Sequence, residues 1–251
     1  MTVPIKIIKA DGSVEDFSAS KVIASLKRAG ADQATAELVV EKIRPYLYQY
    51  IPSFEIFKEI MRLLKGMRKD LAERYDLKKA VMELGPSGYP FERFFAEVLK
   101  ENGYQTATNQ IVSGHCVRHE IDIVAVKERE KLMVECKFHN QPGVKTDIKV
   151  ALYVYARFLD VKKEGYSRPW LVTNTKVTQE VTVYAECVGM KVTSWDCPAG
   201  ESLRELIDAS GLHPITSAVD LNQKQKQELL EQGIVFCRER KNCGSPARTS
   251  L

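Results

Sequence analysis

Apolar residues in the first third of the chain recur at helical spacing behind one short hairpin. Asp11 and Gly12 separate two extended runs, which is typical of a tight turn between antiparallel strands. Apolar positions three or four residues apart then predict four successive helices, the last over about 70–84. The pattern predicts a first domain over 1–84 that consists of a small hairpin followed by a cluster of helices.

The middle of the chain combines helical and strand-like patterns. The breaker-rich stretch 85–88 predicts a domain boundary, and β-branched runs on both sides of the polar stretch 127–130 predict a β-hairpin. The order α-β-β-β-α-β-α-β predicts a three-layer α/β/α domain over 86–197, in the α/β fold class. The elements are expected as a helix at 90–99, an extended region in two segments at 104–107 and 110–113, the hairpin strands at 121–126 and 132–136, a helix at 145–159, a strand at 170–173, a helix at 178–188 and a strand at 190–194.

The C-terminal stretch 198–241 contains short amphipathic segments separated by turns that carry glycine, which predict a small helical segment. Its basic residues could meet phosphates in an element similar to a helix–hairpin–helix, or lie on a solvated helical cap. Residues 242–251 are expected to be disordered. The basic candidates are Lys224, Lys226, Arg238, Arg240 and Lys241.

Composition narrows the class of protein more than it indicates a function. Of 251 residues, 44% are hydrophobic, which is normal for a globular protein. No run is long enough to span a membrane and the N-terminus lacks an apolar signal segment, so we expect a cytoplasmic protein with six reduced cysteines. The net charge of +4 is compatible with a nucleic-acid partner but is too common to argue for one.

Three charged residues occupy the predicted hairpin at positions where a buried strand should carry none: Asp122, Glu135 and Lys137. Because side chains alternate along a strand, Glu135 and Lys137 point to one face, and in-register pairing brings Asp122 close to it. Burying such charges is costly unless they pair or hold a cation. The trio therefore indicates a functional site, with a structural ion pair as the alternative.

The same hairpin carries a rival candidate site. Cys116 and His119, like Cys136 and His139, have the spacing of paired zinc ligands. The second pair lies on the strand that holds Glu135, however, and an extended strand does not form a zinc knuckle. We therefore rank zinc below the carboxylate site, and expect the two histidines to be neighbours of that site, DNA-facing groups or ordinary loop residues.

Several polar residues are spread over the N-terminal hairpin and the helices behind it: Lys9, Asp11, Gly12, Glu15, Lys21 and Ser53. With the order of elements over about 3–84, they resemble the ATP-cone, the nucleotide-binding regulatory module of ribonucleotide reductases and their repressors. One departure is Ala10, where that family usually carries Arg. The resemblance implies that these residues bind ATP or dATP, and lysines and a helix N-terminus suit phosphates. A surface hairpin with solvated lysines is the alternative.

A second resemblance concerns the central domain. Twelve residues separate Asp122 from the Glu135-x-Lys137 pair, and a helix that carries Phe-Glu at Glu92 precedes them. Over about 86–197 this arrangement resembles the PD-(D/E)xK nucleases, in particular the Mrr-type restriction endonucleases. That branch often carries Gln on the helix after the hairpin. The polar candidates on that helix here are Asp147, Lys149 and Arg157.

The nuclease resemblance implies metal-assisted hydrolysis of DNA. Asp122, Glu135 and the backbone carbonyl of Cys136 would hold Mg²⁺ or Mn²⁺, which acidifies a bound water and offsets charge on the scissile phosphate. Lys137 would orient or deprotonate that water, or stabilise the developing charge, and these alternatives stay open. Glu92 would supply a further carboxylate, or is an ordinary exposed residue of its helix.

Together these patterns predict a metal-dependent endodeoxyribonuclease that acts on DNA, senses an adenine nucleotide, forms a homo-oligomer and does not bind membranes. The chain lacks a Gly-x4-Gly-Lys-Ser/Thr loop, so ATP is expected to be sensed and not hydrolysed. Two other functions stay open. One is a catalytically inactive, nucleotide-responsive DNA-binding regulator, and the other is a structure-specific nuclease that acts on junctions or repair intermediates.

Overall fold

The hairpin predicted near the N-terminus is present in the computed structural model, which describes residues 4–240. Strand β1 (Lys6–Ile8) pairs antiparallel with β2 (Val14–Asp16). Gly12 supplies the left-handed backbone of the turn, with a φ of +81° that glycine adopts without strain. Strand β1 also pairs in parallel with β3 (Ile51–Pro52), which the sequence pattern did not predict.

Amphipathic helices surround this small sheet. Ser18 and Asp32 begin the first two helices, since each side chain accepts a hydrogen bond from a backbone N–H of the first turn. Leu26 and Leu64 are fully buried in the core. The helix predicted over 70–84 is two helices, interrupted at Asp76. The helix bounds are α1 (Ala19–Arg28), α2 (Gln33–Ile43), α3 (Ser53–Met67), α4 (Lys69–Tyr75) and α5 (Leu77–Met82).

A five-stranded sheet forms the centre of a second unit. Its strand order is β10-β8-β6-β5-β4, with the β4–β5–β6 part antiparallel and the β6–β8–β10 part parallel. A separate parallel pair joins β7 to β9. The strands are β4 (Gln105–Ser113), β5 (Arg118–Lys127), β6 (Glu130–Lys137), β7 (Lys145–Thr146), β8 (Arg168–Thr173), β9 (Lys176–Val177) and β10 (Lys191–Thr193).

Helices cover both faces of the five-stranded sheet, which confirms the α/β fold class. On one face lies α6 (Tyr89–Glu101), where the ring of Phe95 meets Trp170 edge-on at a centroid distance of 5.7 Å. On the other face, α7 (Ile148–Val161) and α8 (Gln179–Val188) enclose a core that contains Leu171. Trp170 and Leu171 are consecutive on β8, so they reach opposite layers.

The described chain divides into two units. One takes in the described residues up to Lys79 together with Ser217–Asn222, and the other takes in Ala80–Thr216 and the described residues from Gln223. The stretch predicted as a C-terminal segment, which carries α9 (Leu203–Ser210) and α10 (Gln223–Glu231), is therefore shared between them. Lys241 and the tail predicted to be disordered lie outside the described residues. No described helix is long and apolar enough to cross a membrane.

Two basic residues of the C-terminal stretch are engaged within the second unit. Arg238 forms ion pairs with Glu97 and Glu101 of α6, at 3.4 and 2.8 Å. The Nζ of Lys226 donates a hydrogen bond to the main-chain oxygen of Thr216. These contacts favour a structural cap over a phosphate-binding surface for these two side chains.

Replacing Phe95 by alanine is expected to lower the free energy of unfolding by about 3–5 kcal/mol, because the ring is fully buried and a cavity would remain. Denaturant unfolding followed by tryptophan fluorescence measures the loss. The matched control is Tyr89→Ala on the same helix, where the side chain is exposed. An equal effect of both substitutions would contradict the placement of α6 against the sheet.

Candidate active site

The β5–β6 hairpin brings Asp122 to the strand that carries Glu135. The two strands pair in register as far as Ile123 and Val134, so Asp122 stands one position further on, opposite Glu135. Beyond the last pair, the N–H of Cys136 donates to Asp122 Oδ2 at 2.7 Å. The carboxylate is therefore anchored where the two strands separate.

A distortion of β4 lies beside the same position. The β4–β5 pairing is interrupted at Asn109, whose φ of +53° is left-handed, a conformation that Asn tolerates better than most residues. Asn109 Nδ2 donates to Glu120 Oε1 at 3.3 Å. The sequence predicts two extended segments here, whereas the structure has one strand that continues through the distortion.

Glu135 is held by an arginine of helix α7. Arg157 of α7 donates from Nη1 to Glu135 Oε2 at 2.5 Å and to the main-chain oxygen of Glu120 at 3.0 Å. Both charged side chains of the ion pair are only 15% exposed. Burial and the charge of Asp122 outweigh Arg157, and they raise the pKa of Glu135 to about 8. Of the three polar candidates on this helix, Arg157 reaches the site.

Glu92 extends the cluster from the other face of the sheet. It lies in the first turn of α6, and burial together with the charges of Asp122 and Glu120 raises its pKa to about 7. Burial also raises the pKa of Asp122. Lys137 is exposed at the end of β6, and its charge lowers the pKa of Glu135. The structure therefore brings all four predicted residues of the site together.

The cluster carries an excess of negative charge. A bound divalent cation would reduce this excess. Burial first, and then the neighbouring carboxylates, raise the pKa values of Glu92 and Glu135. Within residues 4–240, no three His, Cys, Asp or Glu side chains converge to form a metal centre on their own. A cation held by Asp122 and Glu135 would thus take its other ligands from backbone, water and phosphate oxygens, which suits Mg²⁺.

The residues that suggested zinc have other surroundings. His119 Nε2 lies 2.7 Å from Asp160 Oδ2, and His139 Nε2 lies 3.0 Å from Thr146 Oγ1. Burial raises the pKa of the Cys136 thiol well above its usual value, which opposes the thiolate form that binds zinc. The geometry therefore favours the carboxylate site over a zinc site.

The sequence patterns did not indicate Glu120 or Asn174. Glu120 lies two residues before Asp122 and so on the same face of β5, a spacing that could have indicated it. Asn174 is fully buried, accepts from the N–H of His139 at 2.9 Å and donates to its main-chain oxygen at 2.8 Å. These two bonds fix the backbone just beyond Lys137. No local pattern links Asn174 to a residue 35 positions away.

The residues predicted for nucleotide binding lie in the other unit. Glu15 forms ion pairs with the Nζ atoms of Lys9 at 3.3 Å and Lys21 at 3.1 Å. Ser53 is the first residue of α3, and parallel pairing of Ile8 with Pro52 brings it to the end of the sheet where Lys9 follows.

The turn of the hairpin is also ordered. Asp11 Oδ1 accepts from the N–H of Ser13 at 3.1 Å and from its hydroxyl at 2.6 Å, and Gly12 completes the turn. The six predicted residues thus lie on the hairpin and at the starts of two helices.

Part of this chain resembles known proteins. Residues 85–207 match the family Mrr_cat, described as restriction endonuclease. An uncharacterized protein of Archaeoglobus fulgidus is 49% identical over 144 residues, which span 57% of this chain and 82% of that protein. A crystal structure of a protein of unknown function aligns with a TM-score of 0.55 and 46% identity, over 61% of this chain and 82% of the other.

Proposed function

We propose that the chain is a metal-dependent endodeoxyribonuclease that hydrolyses phosphodiester bonds of DNA, because residues 85–207 match the restriction endonuclease family Mrr_cat. The observation that carries the proposal is that Asp122 stands opposite Glu135 at the open end of one hairpin, with Lys137 two residues beyond Glu135 on the same strand. A partly buried cluster with this charge seldom favours stability by itself, which favours the presence of a ligand.

In the proposed mechanism, Asp122, Glu135 and the Cys136 carbonyl would hold Mg²⁺ or Mn²⁺. The bound ion supplies a more acidic water and offsets charge on the phosphate. Arg157 fixes Glu135 through Oε2, which leaves Oε1 to act as a ligand. The Nζ of Lys137 orients the attacking water or stabilises the developing charge. A carboxyl group of Glu92, with a pKa of about 7, can exchange a proton near neutral pH.

The substitutions Asp122→Asn, Glu135→Gln and Lys137→Ala are each expected to slow plasmid nicking in Mg²⁺ by at least about 100-fold, since each removes a metal ligand or the group beside the water. The matched control is Glu186→Gln, an exposed acid on α8, which should keep full activity. Full activity of all three site variants would contradict the mechanism. DNA binding by the wild type without metal-dependent cleavage would indicate the regulator instead.

Metal affinity should increase with pH. Glu135 has a pKa of about 8 in the absence of metal, so at lower pH a cation must displace a proton from it. Affinity for Mn²⁺ is expected to rise from about pH 6.5 to about pH 8.5, with proton release, as calorimetry in two buffers would show. Glu135→Gln should weaken binding and remove most of the pH dependence. A flat profile for the wild type would contradict this electrostatic account.

For the N-terminal unit, we propose binding of ATP or dATP as a regulatory ligand. The support is that Lys9 and Lys21 converge on Glu15 near the first turn of α3, an arrangement suited to a polyphosphate. Nucleotide occupancy would then change assembly or access of DNA to the nuclease site. A homo-oligomeric state and a cytoplasmic location stay predictions.

Lys9→Ala and Lys21→Ala are each expected to weaken ATP binding by about tenfold or more, because each removes a charge-assisted contact to phosphate. Isothermal titration with ATP and dATP measures the effect. Lys27→Ala, an exposed lysine at the end of α1, is the control and should bind normally. The proposal fails if the wild type binds neither nucleotide and nicks DNA at the same rate with and without them.

A further inference from the structure

A groove lies beside the candidate active site, between the β4–β5 turn and α7. Val117 of the turn and Tyr153 and Leu159 of the helix line it, and these side chains are 59%, 48% and 52% exposed. Its volume of about 560 Å³ is typical of sites that take small organic groups. Arg157 also lines the groove and bonds Glu135, so the groove begins one side chain away from the carboxylates.

The wall formed by the turn is rigidly held. Asp160 of α7 accepts from the N–H groups of Cys116 at 2.7 Å and Val117 at 3.2 Å, and its Oδ2 lies 2.7 Å from His119 Nε2. A side chain at Gly114 would place Cβ only 2.1 Å from the same Oδ2, so glycine is required there. The carboxylate of Asp160 is thus committed to the turn.

The groove offers an aromatic face next to cationic groups. The guanidinium of Arg157 lies 4.4 Å from the centroid of Tyr153 and covers one face of that ring. Tyr153 is nevertheless 48% exposed and lies on the groove lining. Lys163 lies on the lining and makes no ion pair within residues 4–240. An exposed aromatic ring beside cationic side chains is the chemistry by which proteins bind bases of unpaired nucleic acid.

We propose that this groove holds an unpaired or extruded nucleobase of the DNA, stacked on Tyr153, with neighbouring phosphates near Lys163 and Arg157. The inference rests on the proposed function, which supplies DNA as the substrate. It makes DNA with unpaired bases the preferred substrate over a perfect duplex.

The test uses the full chain in EDTA and a duplex that carries one bulged 2-aminopurine. Binding is expected to quench the probe, and the bulged duplex should bind about tenfold more tightly than a matched duplex. Tyr153→Ala should remove both effects, and Tyr153→Phe should keep them. Leu152→Ala removes an exposed apolar side chain from the same helix outside the groove, and should behave as the wild type.

A second variant tests the inference independently, in case the Tyr153→Ala protein does not fold. Leu159→Glu adds a negative charge to the groove without changing the ring, and should abolish the preference while its thermal melt remains that of the wild type. Equal affinity for the two duplexes, or unchanged quenching in both variants, overturns the inference. A dimer that these variants dissociate, with no base preference in the wild type, would assign the face to a second copy and also overturn it.

Cleavage of both duplexes in Mg²⁺ separates this inference from the proposed function. A base preference in binding without any cleavage by the wild type leaves the groove assignment standing and refutes the nuclease activity. Cleavage of both duplexes at equal rates, with no preference in binding, refutes the groove assignment and leaves the nuclease activity standing.

Discussion

The constraint on which the second unit depends is the partial burial of several like charges at the end of one pair of strands. Burial and mutual repulsion raise the pKa of Glu135 to about 8 and that of Glu92 to about 7. Few favourable contacts offset the cost of burying these charges. They are the short hydrogen bond from Arg157 to Glu135, one backbone N–H that donates to Asp122, and the nearby charge of Lys137. Such a cluster adds little to stability by itself, which is why the proposed function assigns it a cation and a phosphate.

Helix α7 connects this cluster to the surface beside it. Arg157 and Asp160 are three residues apart and therefore lie on the same side of the helix. The first holds Glu135 on β6, and the second holds the turn between β4 and β5 through three hydrogen bonds. A single helix thus positions both the carboxylate and the wall of the groove. A substitution that shifts α7 would alter both sites together.

The first unit arranges its charges in a different way. Lys9, Glu15 and Lys21 pair near the surface, where such contacts contribute little to stability. Because these pairs are accessible and weak, a polyphosphate could replace Glu15 as the partner of the lysines with little loss. The cluster on the β5–β6 hairpin lacks this freedom, since Arg157 and Glu135 are nearly buried. The two candidate sites therefore suit an exchangeable ligand and a fixed catalytic geometry, respectively.

The sequence by itself determined the α/β class, the β5–β6 hairpin and the grouping of Asp122, Glu135 and Lys137. These follow from side-chain periodicity and from pairing across a short turn, which are local properties of the chain. Only the tertiary structure decided that Arg157 would hold Glu135 and that Asn174 would hold His139, contacts between residues 22 and 35 positions apart. The distortion at Asn109 and the groove beside α7 were likewise not predictable. They depend on how helices pack on the sheet, and no pattern within a single segment encodes that packing.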